Sequence, residues 1–153
     1  NLVQAGQVFD QRSFQSHKAP HTTSDLLYKN ALWAHASTIF SGLIQVEPRA
    51  QFTDAYQTNR NLLLHPTAQA HSLPGLQIEA NPVKCSHGAT NSAVDPQALY
   101  YLQSRGLPAS EAQNLLVSGF FKEILAECTH PSLAAALEHQ LETYLGDALK
   151  AGS

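Results

Sequence analysis

Leu43-Ile44-Gln45-Val46-Glu47-Pro48, Leu62-Leu63-Leu64-His65-Pro66 and Leu76-Gln77-Ile78-Glu79-Ala80-Asn81-Pro82 share one plan: a burst of apolar residues, a polar or amide residue, then proline. Two of the three continue alike, as Pro48-Arg49-Ala50-Gln51 and Pro66-Thr67-Ala68-Gln69. The spacing from Pro48 to Pro66 nearly repeats from Pro66 to Pro82. That spacing is too short for a βαβ unit of about 30 residues and close to one coil of a β-solenoid. Period-2 alternation in Phe40-Ser41-Gly42-Leu43-Ile44-Gln45-Val46 and in Leu76 to Ala80 is the strand signature. Residues 39–94 therefore read as stacked coils whose backbones pair about 4.8 Å apart. An antiparallel sandwich with prolines at its turns is the alternative; the absence of Asn-Gly and Asp-Gly from this region weighs against tight hairpins. The step from Pro66 to Pro82, carried past Pro82, sets Gln69 beneath Cys85 and His71 beneath His87.

The period lengthens after Asp95. Asp95-Pro96 is a cap followed by proline at the first helical position, with Leu99, Tyr100 and Leu102 on a stripe that Gly106 ends. Ser110 with Gln113 reads as a capping box for a second helix, whose apolar positions are Ala112, Leu115, Leu116, Gly119, Phe120 and Ile124. Pro131 opens a third, with Leu133, Leu137, Leu141, Tyr144, Leu145 and Leu149 along one face. The expected organisation is thus a mainly β core domain over 1–94, the C-terminal coils of a β-helix, and a helical domain over 95–153. The helices would close one end of the stack.

Composition narrows the function classes. The 153 residues are 43% hydrophobic, enough for a core that buries roughly 68–70% of the unfolded surface. With 14% charged residues and a net charge of -3, the chain lacks the clustered cations that hold a phosphate backbone, so no nucleic acid is expected. No apolar run approaches the roughly 20 residues that span a bilayer, so no membrane is expected either. Cys85 and Cys128 make neither a disulfide framework nor a zinc finger, which fits a reducing compartment, the cytoplasm or an organelle matrix such as the plastid stroma. A chain that opens on Asn1 and contains no Met reads as a piece of a longer protein.

Cys85 and His87 are two residues apart, so on a strand they share a face, about 6.5–7 Å from each other. Thiolate and imidazole suit iron or zinc, but a stable site normally takes four ligands. Alone, Cys85 reads equally as a small buried hydrophobe and His87 as a hydrogen-bonded turn residue. Gln57, Asn59 and Asn61 read as amides that satisfy turns or stack between coils. Glu79 and Lys84 read as exposed strand charges, and Cys128 as helix core. A polysaccharide-active β-helix enzyme would need carboxylates gathered on one groove, and the coils offer only Glu47, Asp54 and Glu79 at unmatched phases. A plain interaction module without metal chemistry is the other rival.

A succession of motifs carries a resemblance: Asp54-Ala55-Tyr56-Gln57-Thr58-Asn59-Arg60-Asn61-Leu62-Leu63-Leu64, Pro74-x-Leu76-x-Ile78, Val83-Lys84-Cys85-Ser86-His87-Gly88-Ala89-Thr90, and Leu99-Tyr100-Tyr101-Leu102-x-Ser104-Arg105-Gly106. With His21-Thr22-Thr23-Ser24 and Phe40-x-Gly42-x-Ile44 it spans about residues 21–126. The chain resembles the SufB/SufD proteins of the SUF iron–sulfur cluster assembly system, and its Lys-Cys-Ser-His-Gly-Ala-Thr stretch resembles the SufD form. The resemblance implies a right-handed parallel β-helix followed by a small helical unit, in a non-enzymatic scaffold subunit. It implies pairing with a SufB-like subunit or a second copy through the β-helix, and docking of a SufC-like ATPase through the C-terminal helices. It implies a nascent iron–sulfur cluster at the paired interface, with none held tightly by the chain alone. His87, and with less weight Cys85, would contact that cluster or its iron. Among the aromatic residues of the helices, Tyr101, Phe120 and Phe121 are the expected docking anchors, because adjacent residues cannot both point into one core.

Overall fold

The computed structural model describes residues 1–151, with side chains as far as Gly146. Seven strands come first: β1 (Leu2–Val3), β2 (Val8–His17), β3 (Thr23–Leu32), β4 (Ser37–Val46), β5 (Asp54–Leu63), β6 (Gln69–Ile78) and β7 (Lys84–Ala93). They form two parallel sheets, in the orders β1-β3-β5-β7 and β2-β4-β6. Successive strands alternate between the sheets, which makes the unit a β-solenoid of about three turns.

The registers set the coil length. Val8 pairs with Ser37 and Ser37 with Gln69, while Thr23 pairs with Asp54 and Asp54 with Lys84. One coil therefore takes nearly twice the chain expected from the proline spacing. Each proline-ended segment is half a coil, because consecutive apolar bursts lie in opposite sheets. The stacking expected from that spacing fails for the same reason: His71 pairs with Ile39, Cys85 with Ala55 and His87 with Gln57.

The coils also begin well before Ile39. The repeat is hard to see there because β2 inverts the usual pattern, with Gln11 and His17 buried and Val8 and Phe14 exposed. Apolar burial is concentrated beside the corners. Val3, Leu32, Ala36 and Ala68 pack at one corner, and Ile44, Val46, Ala50, Ala55 and Ala80 at the other. Between them the interior combines Phe40 with buried amides, Asn30, Gln57, Asn59 and Asn61. An asparagine ladder climbs this interior, with each Nδ2 donating to an Oδ1 in a neighbouring coil: Asn1 to Asn30 at 2.9 Å, Asn30 to Asn61 at 2.7 Å, and Asn61 to Asn91 at 2.8 Å.

Four of the six corners between strands share a left-handed residue. His21 and Phe52 hold equivalent places with φ of 57° and 58°, and their rings stack with centroids 4.8 Å apart. At the opposite corner Gly6 (φ 74°) and His35 (φ 59°) are equivalent. A left-handed residue at each such corner turns the chain from one sheet to the other.

A second compact unit starts at Val94. It contains α1 (Pro96–Ser104), α2 (Ala109–Ala126) and α3 (Pro131–Ala151). Asp95 caps α1, its carboxylate accepting from the Gln97 N–H at 2.9 Å, with Pro96 next. At the other end the Gly106 N–H donates to Gln103 O and the Leu107 N–H to Leu102 O, a Schellman closure with Gly106 at φ 94°. The capping box does not form: α2 starts one residue before Ser110, after Pro108, and has no side-chain cap. The buried row of α2 is Ala112, Val117 and Phe121, while Leu115 is exposed. Apolar residues lie most of the way round this helix, so periodicity alone did not choose the packed row. Leu149 of the expected α3 stripe lies outside the residues whose side chains are described.

Candidate functional site

β7 is the last strand of its sheet and is hydrogen-bonded to a strand, β5, on one side only. Its parallel register to β5 carries the inward row of the coil below, Ala55, Gln57, Asn59 and Asn61, onto Cys85, His87, Ala89 and Asn91. Two members show that this row faces the interior. Cys85 packs against the Ile44, Val46 and Ala55 cluster, and Asn91 takes the top of the asparagine ladder while donating to Ala70 O of β6 at 3.0 Å. No further coil covers the row among the described residues. The outcome is a contrast at equivalent positions: Gln57 is fully buried, whereas His87 directly above it is exposed.

Cys85 is half-buried and free. Burial is the main cause of a thiol pKa above the ordinary value, the nearby charge of Asp54 adds to it, and a hydrogen bond with the Ala55 backbone opposes it. Cys85 is therefore a protonated thiol at neutral pH, which becomes a ligand only when a metal displaces the proton. Among the described residues, no three His, Cys, Asp or Glu side chains converge on a common point. The structure thus places Cys85 and His87 on one face, as their spacing requires, and supplies them with no third ligand.

On the outward face Tyr56 lies in register with Ser86. A hydrogen bond to Asp54 and the negative field around it raise the phenol pKa. An open groove of about 420 Å³ adjoins this corner, lined by Phe52, Thr53, Asp54, Pro82, Val83 and Lys84. Glu47 is held by Lys18 (3.8 Å) and Arg49 (3.5 Å).

The helical unit sorts the expected anchors into different environments. Tyr100 and Tyr101 on α1 are both exposed, and the Arg105 guanidinium lies 5.2 Å from the Tyr101 ring centre. Phe121 is buried, Phe120 is half-buried, and their rings meet edge to face at 5.2 Å. Sequence reasoning gave Tyr100 no site role, although it is the more exposed of the adjacent tyrosines. No helix among the described residues is long and apolar enough to cross a membrane.

Comparison with known proteins fits this arrangement. The family described as SUF system FeS cluster assembly, SufBD core domain, matches residues 1–120. The chain belongs to the SufB/SufD family of iron–sulfur cluster assembly proteins. The iron–sulfur cluster assembly protein SufD of Escherichia coli is 34% identical over 96% of this chain and 34% of its own length. A SufBD family protein of Mycobacterium tuberculosis is 38% identical over 90% of the chain and 38% of its own length. SufD of Bacillus subtilis is 39% identical over 60% of the chain and 21% of its own length. The chain thus spans little more than a third, at most, of these SufB/SufD relatives.

Proposed function

We propose that this SufD-like chain is part of a scaffold subunit in an iron–sulfur cluster assembly complex. The nascent cluster forms where the uncovered coil meets a second β-helix, either a SufB-like subunit or another copy. The observation that carries this reading is the exposed inward row of β7, which presents an imidazole and a thiol that no third His, Cys, Asp or Glu joins among the described residues, short of a four-ligand site. His87 supplies an exposed imidazole that needs no rearrangement to ligate iron. Cys85 is half-buried against the apolar corner and contributes only once its proton has left. The remaining ligands come from the partner, so metal binds firmly to the complex and not to this chain alone. The free edges of β6 and β7 offer unpaired backbone groups for that partner. The scaffold has no catalytic residue of its own; sulfide, iron and nucleotide hydrolysis come from other components.

The helical unit docks a SufC-like ATPase. Exposed aromatic residues of the Tyr100 and Tyr101 kind are common interface anchors, and Arg105 holds the Tyr101 ring in place. Phe120 contributes at the edge of the patch, whereas Phe121 supports it from inside the helical packing.

The test is cluster assembly in the reconstituted full-length complex with iron, a sulfide source and ATP. His87→Ala lowers cluster yield at least tenfold with subunit ratios unchanged, and Cys85→Ser lowers it less. A normal yield from the His87→Ala complex overturns the cluster role. Tyr101→Ala weakens ATPase binding roughly fivefold or more, as expected of an anchor worth about 1 kcal/mol. Unchanged binding in a Tyr100→Ala, Tyr101→Ala double variant overturns the docking role.

A further inference from the structure

The polar interior between β2, β4 and β5 holds atoms that the fold leaves unpaired. Gln57 is fully buried, and neither Oε1 nor Nε2 of its amide has a hydrogen-bond partner among the described residues. Ser13 Oγ, Gln15 Oε1 and Asn59 Nδ2 are buried and unpaired as well. The registers and the approach of Gln57 to Gly42 set these residues in neighbouring rows of one stretch of the interior. The Gln57 amide lies against Gly42 so closely that a Cβ there would overlap it, with Nε2 only 2.7 Å away. Ser13 is in register with Gly42 on the adjacent strand. Gln15 donates through Nε2 to the Tyr56 carbonyl at 3.3 Å, immediately before Gln57, and this leaves its Oε1 free in the same region. Asn59 lies two residues beyond Gln57 on the same inward row. Its Oδ1 already accepts from Asn61 and Ser72 at 2.7 Å each, while its Nδ2 is free.

The free set combines donors (Gln57 Nε2, Asn59 Nδ2), acceptors (Gln57 Oε1, Gln15 Oε1) and a hydroxyl that does both. Nearly all buried polar groups in folded proteins are paired with protein or ordered water. A cation would require carboxylates and an anion would require positive charge; none of these four residues carries either. The matching ligand is small, neutral and able both to donate and to accept, as a buried water does when it makes two to four hydrogen bonds. We propose that Ser13, Gln15, Gln57 and Asn59 form an internal hydration site that holds at least one ordered water molecule against Gly42. The site is one coil beneath His87, so the bound water closes the polar column on its covered side. Glycine at position 42 is what lets the Gln57 amide reach across the interior to hold it.

The experiment is a crystal structure of the full-length protein at a resolution that shows ordered water, joined to oxygen-17 magnetic relaxation dispersion, which counts long-lived internal waters. Density for a water within hydrogen-bonding distance of the Gln57 amide and of Ser13 Oγ or Gln15 Oε1 is expected. Gln57→Leu, which keeps the bulk and removes the amide, is expected to lower the dispersion amplitude by at least one water. Direct pairing of Gln57 with Ser13 or Gln15 and no water density in the unaltered protein overturns the proposal, as does an unchanged amplitude in Gln57→Leu. If Gln57→Leu does not fold, the structure of the unaltered protein decides alone.

Discussion

β5 and β7 run the same course with opposite consequences. Both are ten-residue strands of one parallel sheet, in register throughout, and both turn every second residue toward the interior. On β5 that row is sealed, and Gln57, Asn59 and Asn61 are no more than 1% exposed. On β7 the same row lies open, with His87 and Asn91 exposed and Cys85 half-covered. A residue in the sealed row is held by its neighbours on every side, and its replacement is felt as stability. A residue in the open row has no coil above it among the described residues, so its replacement is felt less. The proposed ligands, Cys85 and His87, lie on the last strand of their sheet, where no further coil covers the row among the described residues.

The largest effect is expected where the sealed row is tightest. Gly42→Val puts a branched side chain into the space of the Gln57 amide, which has to move within a fully buried environment. Overpacking of this kind costs about 3 kcal/mol, and a lowered urea midpoint at unchanged slope would register it. Wild-type stability in Gly42→Val would mean that the two sheets are more loosely apposed than the contrast requires.

The asparagine ladder offers the same substitution in both settings. Asn61→Ala removes a side chain that accepts from Asn30 and donates to Asn59 and Asn91, so each buried partner loses one bond, Asn30 keeping Gln11 and Asn59 keeping Ser72. Leaving a buried polar group unsatisfied costs roughly 1–3 kcal/mol, so about 2 kcal/mol is expected here. Asn91→Ala removes the top rung, where water replaces what is lost, and should cost less than about 1 kcal/mol. Equal losses in the two variants would show that the open coil is covered in solution.

The ladder also shows why the fold was only partly legible. Strand bursts, corner prolines and the solenoid class follow from apolar alternation, which the apolar corner clusters preserve. The proline spacing misstates the coil length because Pro48, Pro66 and Pro82 mark successive corners, which are half a coil apart. The better ruler is polar: Asn30, Asn61 and Asn91 recur once per coil, in register from β3 through β5 to β7. β2 escaped notice because its inward residues are Gln11, Ser13, Gln15 and His17, which no rule of apolar burial selects. The shared face of Cys85 and His87 was visible from their spacing. Their exposure was not, because it depends on β7 having no successor in the stack. On α2, apolar residues on several sides hid which row packs, and Phe121 rather than Leu115 turned inward.

Acid probes the sealed side in a graded way. His17 is buried, its ring nitrogens bonded to Thr22 Oγ1 at 2.7 Å and Ser24 Oγ at 2.8 Å, and burial lowers its pKa below the ordinary 6.5. The unfolded chain therefore binds this proton at a higher pH than the folded chain. Stability is flat above about pH 6.5 with respect to this group and falls as pH drops from there through the folded pKa. Between about pH 7.5 and 5.5 the urea midpoint of His17→Gln should decline less than that of the unaltered protein. An identical decline would assign the acid sensitivity to other groups.

The smallest stability effect belongs to the residue with the largest proposed role. His87 is in register with Gln57, yet it is exposed, and among the described residues its ring makes no hydrogen bond, ion pair or ring contact. Truncating such a side chain on an uncovered strand changes stability by no more than about 0.5 kcal/mol. His87→Ala should therefore match the unaltered protein in urea midpoint while failing in cluster assembly, a separation that no residue of the sealed row can show. The paired control is Gln57→Ala, one coil below, which should lower the midpoint clearly because it leaves a cavity in the sealed interior. If His87→Ala proves as destabilising as Gln57→Ala, the open row is a packed one. The imidazole would then be a structural group, and the cluster ligands must be sought on another face.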